Sequence, residues 1–125
     1  MQNSLKIDTR ERFDIVSLPS GKFDRECAGK VAAVVTECRQ NARSLIIDLE
    51  ACNGMDEEAL SLLGPWHEDL YQDGCSFVLC GSPAIIKAQL QAAELDEQLN
   101  LAPTLAEAID LVSMEDVERE LLGGE

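Results

Sequence analysis

Ser44-Leu45-Ile46-Ile47-Asp48-Leu49, then the loop Glu50 to Gly54, then Met55-Asp56-Glu57-Glu58-Ala59-Leu60 is the stretch on which the fold turns. A short apolar run with an acid near its end suits a central strand covered on both faces. Asn53-Gly54 signals a turn. Asp56 stands at a helix N-cap position, and Glu57 and Glu58 put negative charge at that helix's positive end. Leu60, Leu63, His67 and Leu70 mark its buried side, and Asp73-Gly74 ends it. Pro65 would be its ninth residue, where it removes the bond to the Ser61 carbonyl at ~3 kcal/mol. That predicts a kink or break near Leu63, either tolerated or used to present Trp66 as an exposed contact.

Towards the N-terminus, Leu5 and Ile7, then Phe13, Ile15 and Ser17, alternate with polar residues around Thr9-Arg10-Glu11. This reads as two strands and a turn. Pro19-Ser20-Gly21 punctuates their end. Asp24 is the N-cap of a helix to about Asn41, with Cys27, Val31, Val34, Val35 and Cys38 on one face. Towards the C-terminus, Cys75 to Cys80 is a second central strand. Ser82 as N-cap and Pro83 as first helical residue start a third helix, to about Ala93. Leu99-Asn100-Leu101 suits a short edge strand. Thr104-Leu105-Ala106-Glu107 is a capping box with Leu105, Ala108, Ile109 and Val112 behind it. Ser113 caps a separate short helix, Met114 to Leu122, which Gly123-Gly124 stops. The order β, β, α, β, α, β, α, (β), α implies parallel crossovers and an antiparallel edge hairpin. The expected fold is an α/β mixed sheet with about four packed helices: one domain over residues 1–112, and a C-terminal helical extension of it over 113–125.

The chain has 125 residues and is 46% hydrophobic, enough for a core without metals or disulfides. Its five cysteines are odd in number and lack C-x-x-C spacing, which points to a reducing cytosol. No apolar run reaches membrane-span length, and the first six residues contain no signal-peptide core. The net charge is −14: residues 1–47 carry +2 and residues 48–125 carry −16. Clustered cations are missing, so nucleic acid and anionic membranes are disfavoured as partners. The excess acid serves solubility, or recognition of a basic protein.

Little in the chain suggests catalysis. His67 is the single histidine and reads as a partly buried, hydrogen-bonded residue. Cys75 and Cys80 point to opposite faces of their strand, so no zinc site forms there. No cysteine lies at a helix N-terminus or beside a cation cluster that would activate it. There is no phosphate-cradling glycine loop. Glu57 and Glu58 project about 100° apart on a helix, so they do not face each other as an acid–base pair. No metal or cofactor is expected. Asp48 and Asp56 alone gather polar groups at the strand ends where α/β folds bind ligands. A phosphoacceptor receiver domain would also place an aspartate like Asp48 after an apolar strand. It needs an acidic pair after its first strand and a late lysine, and Ser17 to Ser20 and Cys80 to Pro83 supply neither.

The chain more closely resembles the STAS family of anti-sigma-factor antagonists. Gly21-Lys22-Phe23-Asp24 matches the family's early Gly-x-x-Asp. Asp48-Leu49, the loop, and Asp56-Glu57-Glu58-Ala59-Leu60 match its Asp-Leu and Asp-Ser-Ser-Gly-Leu. Asp73-Gly74, Cys80-Gly81 and the helix start at Thr104 to Ala108 follow in order. The resemblance covers about Phe13 to Val112. It implies a non-enzymatic, cytoplasmic domain that binds a regulatory protein such as an anti-sigma kinase. In typical members the first serine after the aspartate is phosphorylated. Here Glu57 holds that position, Glu58 the next and Ala59 the glycine, so the usual switch is expected to be absent. Glu57 fits three roles: a favourable first-turn residue, a permanent mimic of phosphoserine, or part of a rim rebuilt for another partner. The candidate contact residues are Asp24, Asp56, Glu57, Glu58, Ala59 and Ser61, the last an alternative phosphosite or an ordinary helix serine. The alternatives are a STAS-type subunit of a transporter-associated or multiprotein stress complex and, behind it, a small enzyme using the acidic rim. The tail helix is a candidate homodimer contact.

Overall fold

The computed structural model describes residues 5–123. The elements are β1 (Lys6–Thr9), β2 (Phe13–Ser17), β3 (Gly21–Phe23), α1 (Arg25–Asn41), β4 (Ser44–Asp48), β5 (Cys52–Met55), α2 (Glu57–Gln72), β6 (Phe77–Cys80), α3 (Ala84–Ala92), β7 (Asn100–Ala102) and α4 (Leu105–Gly123). The main sheet runs β1-β2-β4-β6-β7, antiparallel at the β1–β2 edge and parallel elsewhere. This is the expected mixed sheet with an edge hairpin and four helices.

Alternation along the central strands sorts the core into two layers. Val16, Leu45, Ile47, Phe77 and Leu79 point to one face, beneath α1, α2 and α3. Ile15, Ile46, Val78 and Cys80 point to the other, where Ala108 and Val112 of α4 cover them. Three helices thus share one face and α4 takes the opposite one. Each such large side chain contributes roughly 1.5–3 kcal/mol on burial.

Several expectations need correction. β2 alternates in sequence, yet Asp14, Ile15 and Val16 are all buried, because core layers cover both faces of the sheet there. Arg43 makes the buried Asp14 tolerable, holding Oδ1 through Nη2 at 2.9 Å and Nε at 3.2 Å. It also donates to the carbonyls of Arg10, Glu11 and Phe13, tying the hairpin turn to β4. Ile7 of β1 is exposed. Asn53-Gly54 is no turn but the middle of β5, which pairs in parallel with β3 in a separate two-stranded sheet. Helix α2 continues unbroken through Pro65, and Trp66 is buried, 6.5 Å from both Phe23 and Phe77 between ring centroids. The N-cap of α3 is Pro83 rather than Ser82. Ser113 caps nothing: α4 is one helix across it, because Ala108, Val112, Glu115 and Arg119 keep one face on the sheet side. Gly124, half of the expected stop, lies outside the described residues. Thr104 does cap α4, its Oγ1 accepting from the Glu107 N–H at 3.2 Å.

Candidate functional site at the joined starts of two helices

The small sheet positions the candidate residues. β3 and β5 run in parallel with Phe23 opposite Met55, and the next residue of each strand is an aspartate. Asp24 begins α1 and Asp56 begins α2, so both helices start side by side. The Asp56 N–H donates to the Phe23 carbonyl at 3.0 Å and locks the two starts together. Asp24 caps as expected, with Oδ1 accepting from the Cys27 N–H at 2.9 Å. Asp56 occupies the N-cap position without making the side-chain cap. Its carboxylate turns instead to Lys22 Nζ at 3.1 Å. A second bridge, Arg25 Nε to Glu58 Oε2 at 3.8 Å, also crosses from α1 to α2. Both pairs are exposed and add little stability; they fix where the cations lie.

Glu57 is exposed and makes no ion pair among the described residues. Its charge meets the free N–H groups of the first turn of α2. Ala59 is fully buried and supports the helix start from beneath, so it offers a partner no direct contact. Ser61 is exposed, but its hydroxyl donates to the Glu58 carbonyl at 2.7 Å. Asp48 stands apart, as the last residue of β4, where its Oδ1 accepts from the Glu50 N–H at 3.0 Å. Gly81 lies against it with φ +68°, and a Cβ there would come within 3.1 Å of that oxygen. Asp48 therefore shapes a turn.

Three contributing residues escaped the sequence reading. Lys22 and Arg25 flank Asp24, and their cationic spacing around an N-cap was a signal to be had. Gln89 of α3 carried none. Its amide holds both backbone groups of Met55, accepting from the N–H at 3.0 Å and donating to the carbonyl at 2.9 Å. Beside the helix start, Glu57, Leu60, Ser61, Gln89, Ala92 and Leu95 line an open groove of about 520 Å³.

Other polar and titratable groups lie away from this corner. His67 is partly buried as expected, but its Nδ1 has no hydrogen-bond partner among the described residues, and its ring stacks on Tyr71 at 6.2 Å. It shares a cleft with Cys75, whose thiol is pushed up by burial, the opposite of activation. Cys38 and Cys80 are pushed up to about 12, by burial first and then by Asp14 and Asp48 respectively. All five cysteines are free and buried; Cys27, against the sequence reading, lies in the first turn of α1, and its thiol too is pushed up by burial. Among the described residues no cluster of three or more His, Cys, Asp or Glu could hold a metal, and no helix is long and apolar enough to cross a membrane.

No curated protein sequence matches the chain. Solved structures do. An anti-sigma factor antagonist from Mycobacterium paratuberculosis is 22% identical, with a TM-score of 0.75 over 88% of this chain and 93% of its own. Moorella thermoacetica RsbS bearing a serine-to-glutamate change is 20% identical, with a TM-score of 0.76 over 92% and 97%. The Bacillus cell fate determinant SpoIIAA in its phosphorylated form is 18% identical, with a TM-score of 0.67 over 87% and 99%. At these identities the likeness is one of fold. The family model described as STAS domain matches residues 5–108, most of the chain. With the paired Gly-x-x-Asp and Asp-initiated helix starts at its centre, the chain belongs to the STAS domain family.

Proposed function

We propose that this chain is a non-enzymatic, cytoplasmic interaction domain of the anti-sigma-factor-antagonist type, with its contact surface at the joined starts of α1 and α2. The observation that carries this is the β3–β5 pairing, which brings Asp24, Asp56, Glu57 and Glu58 from two distant segments to one exposed corner. Such a corner suits a basic patch on a regulatory protein, of which an ATP-binding anti-sigma kinase is the expected class. Lys22 and Arg25 already engage Asp56 and Glu58, leaving Glu57 as the uncommitted charge. A carboxylate there cannot accept a phosphoryl group as a stable ester. It supplies about one negative charge where phosphoserine carries nearly two. The contact is therefore constitutive, not switched at this position. We read Ser61 as an ordinary helix serine, its hydroxyl donating to the Glu58 carbonyl.

The test is direct. Anti-sigma kinases encoded beside the gene are titrated onto the full chain by calorimetry, with and without ATP. The reading expects binding to a kinase, at least tenfold weaker for Glu57→Gln/Glu58→Gln, and no phosphopeptide from residues 55–61 by mass spectrometry. A phosphorylated Ser61 that alters affinity, or binding indifferent to the double substitution, overturns it.

A further inference from the structure

The two halves of α4 have opposite polarity. In the first half the sheet side is apolar, with Ala108 and Val112 buried, while Ala106, Glu107 and Asp110 face out. In the second half the inward residues are charged. Ser76, at the start of β6, is buried, and its hydroxyl is bonded to Glu115 and accepts from Arg119 Nη2 at 2.7 Å. Arg119 also pairs with Asp116 at 3.0 Å. Arg12, beside the hairpin, bonds Glu120 at 3.0 Å. Beside the exposed Ser113, Glu118 and Glu120, three apolar residues face outwards: Met114 is 61% exposed, Val117 53% and Leu121 76%. Their spacing of three and four places them on one stripe. Leu122, 79% exposed, extends it towards the cleft beside Tyr71.

The inward polar bonds matter because they set the rotation of the helix. Turning the stripe inwards would break the Ser76–Glu115–Arg119 cluster, leave the buried Ser76 hydroxyl without those partners and carry the buried Ala108 and Val112 out to solvent. The stripe is thus held outwards by construction. Its surroundings decide what covers it. Glu107, Asp110 and Glu118 flank it, and the one cation of α4, Arg119, is engaged inside. A second copy would set acid against acid in a chain of net charge −14. A partner helix with an apolar stripe and basic margins would pair favourably on both counts.

We infer that the second half of α4 is a second docking surface, on the sheet face opposite the α1–α2 corner, and that it takes a basic amphipathic helix of a protein partner. Met114, Val117 and Leu121 receive its apolar residues, and Asp110 and Glu118 its cations. The surface lies almost wholly beyond residue 108, where the match to the family ends, and it does not depend on the α1–α2 corner.

The test uses the full chain and a labelled synthetic leucine–lysine peptide of about 18 residues, with leucines at i, i+3, i+4 and i+7. Controls are the same composition shuffled and a leucine–glutamate analogue. Fluorescence anisotropy should show binding of the patterned basic peptide at least tenfold tighter than of either control. Met114→Gln/Val117→Gln/Leu121→Gln should weaken it by roughly tenfold or more, with an unchanged circular dichroism spectrum, because all three side chains are already mostly exposed. Glu57→Gln/Glu58→Gln should leave it unchanged. Equal binding of the shuffled peptide, indifference to the triple substitution, or loss in the Glu57/Glu58 variant would overturn the inference. So would a dimer in sedimentation that the triple substitution abolishes, which would make a second copy the occupant.

Discussion

Replacing Gln89 by leucine removes two hydrogen bonds from the backbone of β5 while nearly preserving side-chain volume. The amide reaches across from α3 and meets both polar groups of Met55, one residue before Asp56 starts α2. Each bond is worth ~1 kcal/mol net, and a buried group left without a partner loses up to about 3 kcal/mol. Met55 is 2% exposed, so water does not readily replace the amide. Gln89→Leu should therefore cost about 2–4 kcal/mol, a large share of a stability of order 5–15. Gln89→Glu is the finer probe. One carboxylate oxygen still accepts from the Met55 N–H, but the other faces the Met55 carbonyl and repels it. Once protonated, the acid again donates to that carbonyl. Folding thus favours the neutral form and raises the introduced carboxyl above its usual ~4.3. Its stabilising contribution is complete below the unfolded value and lost as pH rises through the folded one. Relative to wild type, Gln89→Glu should be about 1–2 kcal/mol less stable at pH 7 and recover most of that near pH 4. Urea melts read through Trp66, the only tryptophan and 6% exposed, measure both. With a urea slope of ~1–3 kcal/mol/M, the leucine variant's midpoint falls by about 1–2 M. A leucine variant within about 0.5 kcal/mol of wild type, or a glutamate variant with no pH-dependent recovery, would refute the idea that α3 holds the launching strand.

Other outcomes follow from the same contacts. Arg43→Ala leaves the Asp14 carboxylate buried without its partner and should lose ~3–5 kcal/mol in chemical denaturation; the double change with Asp14→Asn should lose clearly less than the two single losses added together. Gly81→Ala forces a Cβ to within 3.1 Å of Asp48 Oδ1 at φ +68°, so its melting midpoint should drop by an amount equivalent to ~1–2 kcal/mol. The thiols of Cys38 and Cys80, pushed up to about 12 by burial, should resist iodoacetamide at pH 8 until urea unfolds the chain. The unfolded chain releases those protons first, near 9, so stability should decline as pH rises from about 9 towards 12.

Side-chain chemistry that acts within a few residues was legible in the sequence. Asp24 caps because its carboxylate needs only the N–H three residues on, and Thr104 does the same for α4. The runs Leu45 to Ile47 and Phe77 to Cys80 declared two-faced burial because nothing polar interrupts them. The candidate corner was legible as motifs, two aspartates each opening a helix. Their adjacency was not. β3 has three residues and β5 reads Cys-Asn-Gly-Met, too short and too mixed to show a period of two. Only their pairing turns them into strands.

Trp66 shows the same division. The proline before it signals a broken helix, but the pocket between Phe23 and Phe77 rewards burial of the indole more than Pro65 penalises the turn. Asp14 is a polar residue of the alternating Phe13–Ser17 strand, and only an arginine 29 residues later makes its burial tolerable. Asp56 is at the helix start the sequence assigned it, yet a lysine from the neighbouring strand takes its carboxylate away from the cap. Periodicity, caps and charge are local or additive along the chain, so the sequence alone establishes helices, central strands and an acidic C-terminal half. Which acids meet, which cations they face, and which side of α4 stays exposed depend on long-range pairing, and only the folded structure settles them.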